Sequence, residues 1–274
     1  MAEATKRRVE KHPGTDEKKV EALQEEIEIE EQKILEEPKK LEIEPSDISG
    51  WAPKTELGAK VKSGQITNID TILDSGGHIL EYQIVDRLMP SLETVFINAG
   101  QSKGKFGGGK RSIWKQTQKK TAEGNKPKFG ILIVIGNKNG YVGIGYGKSK
   151  ETVPAKEKAL KKAKLNLIKI KRGCGEWACN CKEPHSIPFE VYGKCGSVEI
   201  YLKPAPKGTG LVIESECKKL LELSGVKDIR SKTFGQTRSK LNLLQACFEA
   251  LKKLGKTKIG EAQIKGAGIV EGAI

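Results

Sequence analysis

The sequence predicts an α+β protein: two small mixed domains in tandem behind a charged extension. Three observations carry this. The runs "FGILIVIG" (129–136) and "YVGIGYG" (141–147) are joined only by "NKNG", a tight Asn-Gly turn, so they pair as an antiparallel hairpin and not as a βαβ unit. A helical stretch follows at 150–170. After a short cysteine-rich segment a similar pattern restarts, with a second hairpin and two further helices. A chain of 274 residues accommodates two domains of ordinary size plus extensions.

Residues 1–49 form the extension. "KKVEALQEEIEIEEQKILEE" sets Val20, Leu23, Ile27 and Ile34 at roughly helical spacing. One narrow stripe without a sustained heptad describes an acidic, partly helical or disordered extension better than a partner-binding helix. The first domain is expected over 50–172. In it "HILEYQIVDRLMPS" reads as a short helix stopped by Pro90, and "LETVFIN" as a strand. Residues 99–128 hold 9 Lys+Arg, 6 Gly and one Trp. So long a Gly/Lys stretch is expected to be a basic loop that orders on a ligand, with Trp114 either stacking on a base or packed on the domain surface.

In the helix at 150–170, Ser149 is the expected N-cap, Glu151 stands in the first turn and Pro154 is tolerated there. Leu160, Ala163, Leu167 and Ile170 form its expected apolar stripe, with lysines over much of the rest. A Cys/His junction covers 173–187, and the second domain 188–255. "IPFEVYGKCGSVEIYLKPA" reads as a hairpin, "GTGLVIES" as a short strand and "SECKKLLELSG" as a helix ended by Gly225. "KDIRSKTFG" is extended. The last helix, "TRSKLNLLQACFEALKKLG", puts Leu241, Leu244, Phe248 and Leu251 on one face and is expected to stop at Gly255. The Gly-rich tail 256–274 reads as irregular.

The net charge is +14, but it is uneven: residues 1–50 hold 9 Lys+Arg against 15 Asp+Glu, so the remainder carries +20. That excess calls for an anionic partner. A membrane surface would require an amphipathic anchor with large apolar residues opposite the lysines. The N-terminus "MAEATKRRVEKHPG" has no apolar run behind its charges, and the longest aliphatic run, "ILIVI", is too short to span a bilayer. A soluble intracellular protein is expected, in which six cysteines do not make a disulfide scaffold.

The stretch "NGYVGIGYGKSKE" raises the question of a nucleotide loop. The phosphate-loop pattern anchored on Gly147-Lys148-Ser149 needs a glycine where Val142 stands, and the dinucleotide pattern from Gly143 and Gly145 needs one where Lys148 stands. Both fail, and no nucleotide cofactor is expected. The glycines either relieve crowding in a twisted hairpin or let another backbone approach. With Lys148, Lys150 and Lys156 at a helix start and a charge of +20 beyond the extension, a polyanion backbone is the favoured ligand.

Several long motifs, in order, resemble a known family. "GNKNGYVGIGYGKSKETVPAKEKALKKAKLNL", "HSIPFEVYGKCGSVEIYLKPAPKGTGLV" and "LSGVKDIRSKTFGQTRSKLNLLQACFEAL" are similar to the two domains of the universal small-subunit ribosomal protein family number five, archaeal type. "PKTELGAKVKSGQI" resembles the lead-in of archaeal and eukaryotic members, and the resemblance spans about 50–254. It implies a double-stranded-RNA-binding-like domain followed by a second small α+β domain. It also implies a non-enzymatic constituent of the small subunit that braces rRNA near the decoding region, lines the mRNA entry path beside ribosomal proteins three and four, contacts protein eight and supports accuracy. Carried over by position, Asn137, Lys138, Asn139, Gly143, Tyr146, Gly147 and Lys148 would face rRNA, as would Lys207 in "PKGTG". The segment 99–128 takes the place of the family's basic first-hairpin loop, making Lys103, Lys105, Lys110, Arg111 and Lys115 further RNA candidates.

"CGEWACNCKEPH" places Cys174, Cys179, Cys181 and His185 at C-x4-C-x-C-x3-H. Thiolates and imidazole are the donors of a closed structural zinc site. The spacing is not the usual C-x2-C knuckle, and reduced thiols in a linker are the alternative reading. Cys195 is a possible substitute ligand. Two competing functions differ in class: a phosphate-handling enzyme, by analogy of fold alone, and a free-standing RNA-binding or helicase-accessory module. The enzyme would need an acidic metal cluster beside a complete phosphate loop, and the chain offers neither.

Overall fold

A computed structural model describes residues 50–101, 111–179 and 181–272. The acidic extension and the candidates Lys103, Lys105 and Lys110 lie outside the described residues. Three short helices open the described chain: α1 Glu56–Lys62, α2 Ile69–Asp74 and α3 Tyr82–Leu88. Thr55 caps α1 by accepting from the Gly58 amide at 3.1 Å. Pro90, two residues past α3, cannot continue it.

The first sheet contains β1 Glu93–Ile97, β2 Lys115–Thr121, β3 Gly124–Gly136, β4 Tyr141–Ser149 and β5 Leu167–Lys169. Its order is β1-β3-β4-β5, with β2 on the outer half of the long β3 and every pairing antiparallel. Alternation along β3 and β4 gives two buried faces. Ile131, Ile133 and Ile135 pair with Gly147, Gly145 and Gly143 on one of them. Helix α4, Thr152–Leu165, lies on that face through Ala155, Ala159 and Ala163. A Cβ at any of the three glycines would overlap the carbonyl oxygen of one of those alanines. Strand residues two apart and helix residues four apart are separated by nearly equal lengths, about 6.7 and 6 Å, so three glycines can meet three alanines in step.

The other face shows Leu132, Val134, Val142 and Ile144, which join a core shared with the C-terminal half. That half follows β6 Lys171–Arg172 and comprises β7 Val191–Cys195, β8 Val198–Pro204, β9 Leu211–Val212, α5 Ser215–Ser224, β10 Ile229–Phe234 and α6 Lys240–Lys256. The sheet order is β7-β8-β10-β9, with β9 parallel to β10. Val198, Ile200 and Leu202 of β8 meet Leu220 and Leu221 of α5 and Leu244, Phe248 and Leu251 of α6 in one cluster. Gly225 ends α5 in the left-handed conformation, at φ 81°.

Four sequence expectations are corrected. Residues 99–128 are not one loop: Ile113 and Trp114 are buried, and 115–128 belongs to the β2–β3 hairpin. Trp114 packs edge-on against Phe129, with ring centroids 6.4 Å apart. In α4, Glu151 and not Ser149 holds the cap position, and the buried stripe is Ala155, Ala159, Ala163 and Lys164. Small residues are selected there because the glycine face leaves no depth for a leucine. Lys164 is buried because it pairs with Asp86 of α3. Gly255 does not stop α6, which passes through it while the Lys169 carbonyl packs close by. The tail is not irregular: α7 Glu261–Ala267 is followed by β11 Val270–Glu271, which pairs with β6. There the buried Arg172 donates to the Gly272 carbonyl at 3.0 Å.

Candidate nucleic-acid interface and Cys/His junction

The β2–β3 hairpin runs past the end of β4, and its register sorts its charges. Lys115 pairs with Gly130, Thr117 with Lys128 and Lys119 with Lys126, while Gly130 on its other side pairs with Lys148 of β4. Cross-strand partners share a face and alternate residues return to it. Lys115, Lys119, Lys126, Lys128 and Lys148 therefore line one face of three strands. Lys119 and Lys126 stand directly opposite each other, an arrangement that costs stability unless a negative charge lies over it. Glu123 at the hairpin tip pairs with Lys126 at 2.5 Å. Sequence reasoning reached Lys115 and Lys148 but missed Lys119, Lys126 and Lys128. The signal available was a polar "KQTQKK…KPK" alternation around "EGN".

The other candidates are divided between this face, the α4 side of the sheet and the loops. Lys148 and Lys150 are exposed at the approach to α4. Lys156 lies over the Trp114 ring, 5.6 Å from its centre. Arg111 reaches the Arg238 carbonyl at 3.1 Å. Gly143 and Gly147, expected to face RNA, are buried under α4, where a Cβ would meet the Ala163 and Ala155 carbonyls. Tyr146 is half-buried on the same face as Lys148, opposite α4, lying across Gly130, and burial pushes its hydroxyl above the ordinary tyrosine range.

The loop 137–140 is held from within. Asn137 Oδ1 accepts from the amides of Asn139 and Tyr141, and the amides of Lys138 and Gly140 donate to the Leu223 and Ser224 carbonyls at the end of α5. Lys138 adopts φ 59° and pairs with Glu93 at 2.7 Å. Asn139 is exposed.

At the junction, the ligand atoms of Cys174, Cys179, Cys181 and His185 lie within 4.8 Å of one another. Cys195, at the end of β7, is not among them. Cys179 Sγ is 3.3 Å from Cys181 Sγ and 3.8 Å from His185 Nε2. His185 Nδ1 is 2.8 Å from Asp228 Oδ2, with both groups buried. Burial, then the Cys181 and Cys179 thiols, push Cys174 up to about 11, whereas hydrogen bonds led by the Lys207 amide draw Cys179 down to about 6. Lys207 also pairs through its side chain with Glu183 at 2.6 Å. Asp228 is the residue sequence reasoning did not connect to this group.

Among the described residues no helix is long and apolar enough to cross a membrane. The model of the family described as ribosomal protein S5, N-terminal domain, matches residues 113–171, and that of its C-terminal domain matches 193–264. The chain is 48% identical over 228 residues to the small ribosomal subunit protein uS5 of Nanoarchaeum equitans, an overlap of 83% of this chain and 98% of that one. It is 47% identical over 228 residues to the uS5 of Methanocaldococcus jannaschii, with the same coverage of 83% and 98%. Against the uS5 of Methanobrevibacter smithii it is 44% identical over 223 residues, covering 81% and 98%.

Proposed function

The chain belongs to the ribosomal protein S5 family, a family of structural and non-enzymatic constituents of the small ribosomal subunit, and from that premise we propose that it braces rRNA through the lysine face of the β2–β3 hairpin. The observation that carries this reading is the cross-strand row of five lysines with Lys119 opposite Lys126. Cations spaced along three strands match a phosphate backbone, and their contacts position the chain without reading bases. Lys150, beside the start of α4, adds an exposed cation next to Lys148, and a helix start without a side-chain cap is a second feature suited to phosphate.

On this reading the chain sits in the cytoplasm within the small subunit, near the decoding region, along the mRNA entry path beside proteins three and four and against protein eight. The glycine ladder argues against a nucleotide enzyme, because each glycine meets helix backbone and none is left to cradle a phosphate. Gradient sedimentation of the tagged chain from lysate tests the proposal. Stoichiometric co-migration with the small subunit is expected. Migration as a small free species overturns it and supports a free-standing RNA-binding module.

A further inference from the structure

We propose that Cys174, Cys179, Cys181 and His185 bind one zinc ion, and that this ion fixes the 206–210 loop that carries Lys207. The second half rests on the RNA reading above for its purpose; the first half does not.

The donors come first. Three thiols and one imidazole converge with all ligand atoms within 4.8 Å. A tetrahedral zinc with Zn–S of about 2.3 Å and Zn–N of about 2.0 Å spaces two sulfurs roughly 3.8 Å apart and a sulfur and a nitrogen roughly 3.5 Å apart. The separations of 3.3 Å between the Cys179 and Cys181 sulfurs and 3.8 Å between Cys179 and His185 lie within about half an ångström of those values. An ion needs only small side-chain adjustments to enter. An iron–sulfur cluster is a poorer match, because such clusters ordinarily take four thiolates.

The imidazole is already oriented. Asp228 holds Nδ1 and leaves Nε2 directed at the thiols, the carboxylate–histidine arrangement that backs metal-bound histidines. His185 and Asp228 are 43 positions apart, so the fold brings this pair together. The segment between the first and last donors has little else to fold around: its tryptophan, Trp177, is 95% exposed. An ion supplies the centre that the segment lacks.

The same atoms grip the loop. Asp228 uses Oδ2 for His185 and Oδ1 for the amides of Gly208 and Gly210, at 3.1 and 2.8 Å. The Lys207 side chain pairs with Glu183, which lies between Cys181 and His185, at 2.6 Å. Gly208 and Gly210 have φ 88° and 72°, so the loop follows a path that side chains other than glycine strain to adopt. Around the group, the His185 carbonyl accepts from the amides of Lys227 and Asp228, and the Cys174 amide donates to Ala267 of α7. One ion would thus tie the junction, the start of β10, the tail helix and the Lys207 loop.

The test uses the full-length chain purified without chelator. Elemental analysis should find one zinc per chain, and cobalt(II) in its place should show the absorption of a tetrahedral thiolate site. Metal near zero with free thiols, or iron with sulfide, overturns the site. Cys181→Ser should lose the ion and Cys195→Ser should keep it; the reverse overturns the ligand set. Asp228→Asn keeps an acceptor for the glycine amides and should weaken zinc roughly 10–100-fold in competition with a chromophoric chelator. If Cys181→Ser does not fold, chelation of the wild-type chain supplies the same readout. Amide exchange at Lys207, Gly208 and Gly210 should speed on the order of tenfold when zinc is removed, with β3 unchanged. Zinc removal that leaves these amides unchanged overturns the loop assignment. A zinc-loaded chain that binds no rRNA would defeat the RNA reading while the metal content still stands.

Discussion

A methyl group at Gly145 would overlap the Ala159 carbonyl of α4, so Gly145→Ala must push the helix away from the sheet. Overpacking of this kind costs about 1–3 kcal/mol. We expect Gly145→Ala to lower the free energy of unfolding by that amount, read as a lower urea midpoint at unchanged slope. Gly266 in α7 is the control, since a Cβ there meets nothing within 4 Å. Gly266→Ala should stabilise by about 0.4–1 kcal/mol through the unfolded chain. Equal midpoints for the two variants would show that the ladder does not set the helix height. The three glycines are conspicuous in the sequence, and their alternation already marks one face of a strand. What meets that face is not legible there, because a glycine suited to a phosphate and a glycine suited to a helix look alike in one dimension.

At the scale of the element, the hairpins differ in how much they reveal. The turn before β4 announces itself through "NKNG" between apolar runs. The β2–β3 hairpin does not, because β2 reads "KQTQKKT" and has no apolar alternation to mark it. It is a strand because β3 extends beyond its neighbours and offers an unpaired edge. Such a ribbon has one evident use for its lysines. We expect Lys119→Ser with Lys126→Ser to leave folding stability unchanged or raise it by about 0.2–1 kcal/mol, since a like-charged pair is removed. rRNA affinity should fall, and the log–log salt slope should become shallower by roughly 0.7–0.9 for each phosphate no longer neutralised. An unchanged slope would mean that the hairpin does not touch the backbone. Trp114, at the base of the ribbon, belongs to the fold and not to the ligand: it is 4% exposed against Phe129.

Over the whole molecule, the tail and the charge each carry a prediction. Ending the chain at Lys256 removes α7, β11 and the carbonyl that Arg172 uses. A buried guanidinium without its acceptor costs about 1–3 kcal/mol or more, so the truncated chain should melt measurably lower. An unaltered melting temperature would mean the tail only rests on the surface. For the full chain, about six to ten neutralised phosphates predict that rRNA affinity falls roughly 10³–10⁵-fold between 50 and 200 mM salt. An affinity insensitive to salt would remove phosphate binding as its basis. The sequence by itself determined the α+β class, both apolar hairpins, the helix ended by Gly225 and the grouping of three cysteines and a histidine, and its long motifs carried the resemblance to the family. The elements are written in turn chemistry, periodicity or spacing within a few dozen residues. Only the tertiary structure decided that α4 lies on the glycines, that five lysines share a face, that the tail returns to β6 and that Asp228 stands behind His185. Those pairings join segments whose local sequence is indifferent to the partner. They are selected by which apolar faces can be buried together, a property of the folded chain as a whole.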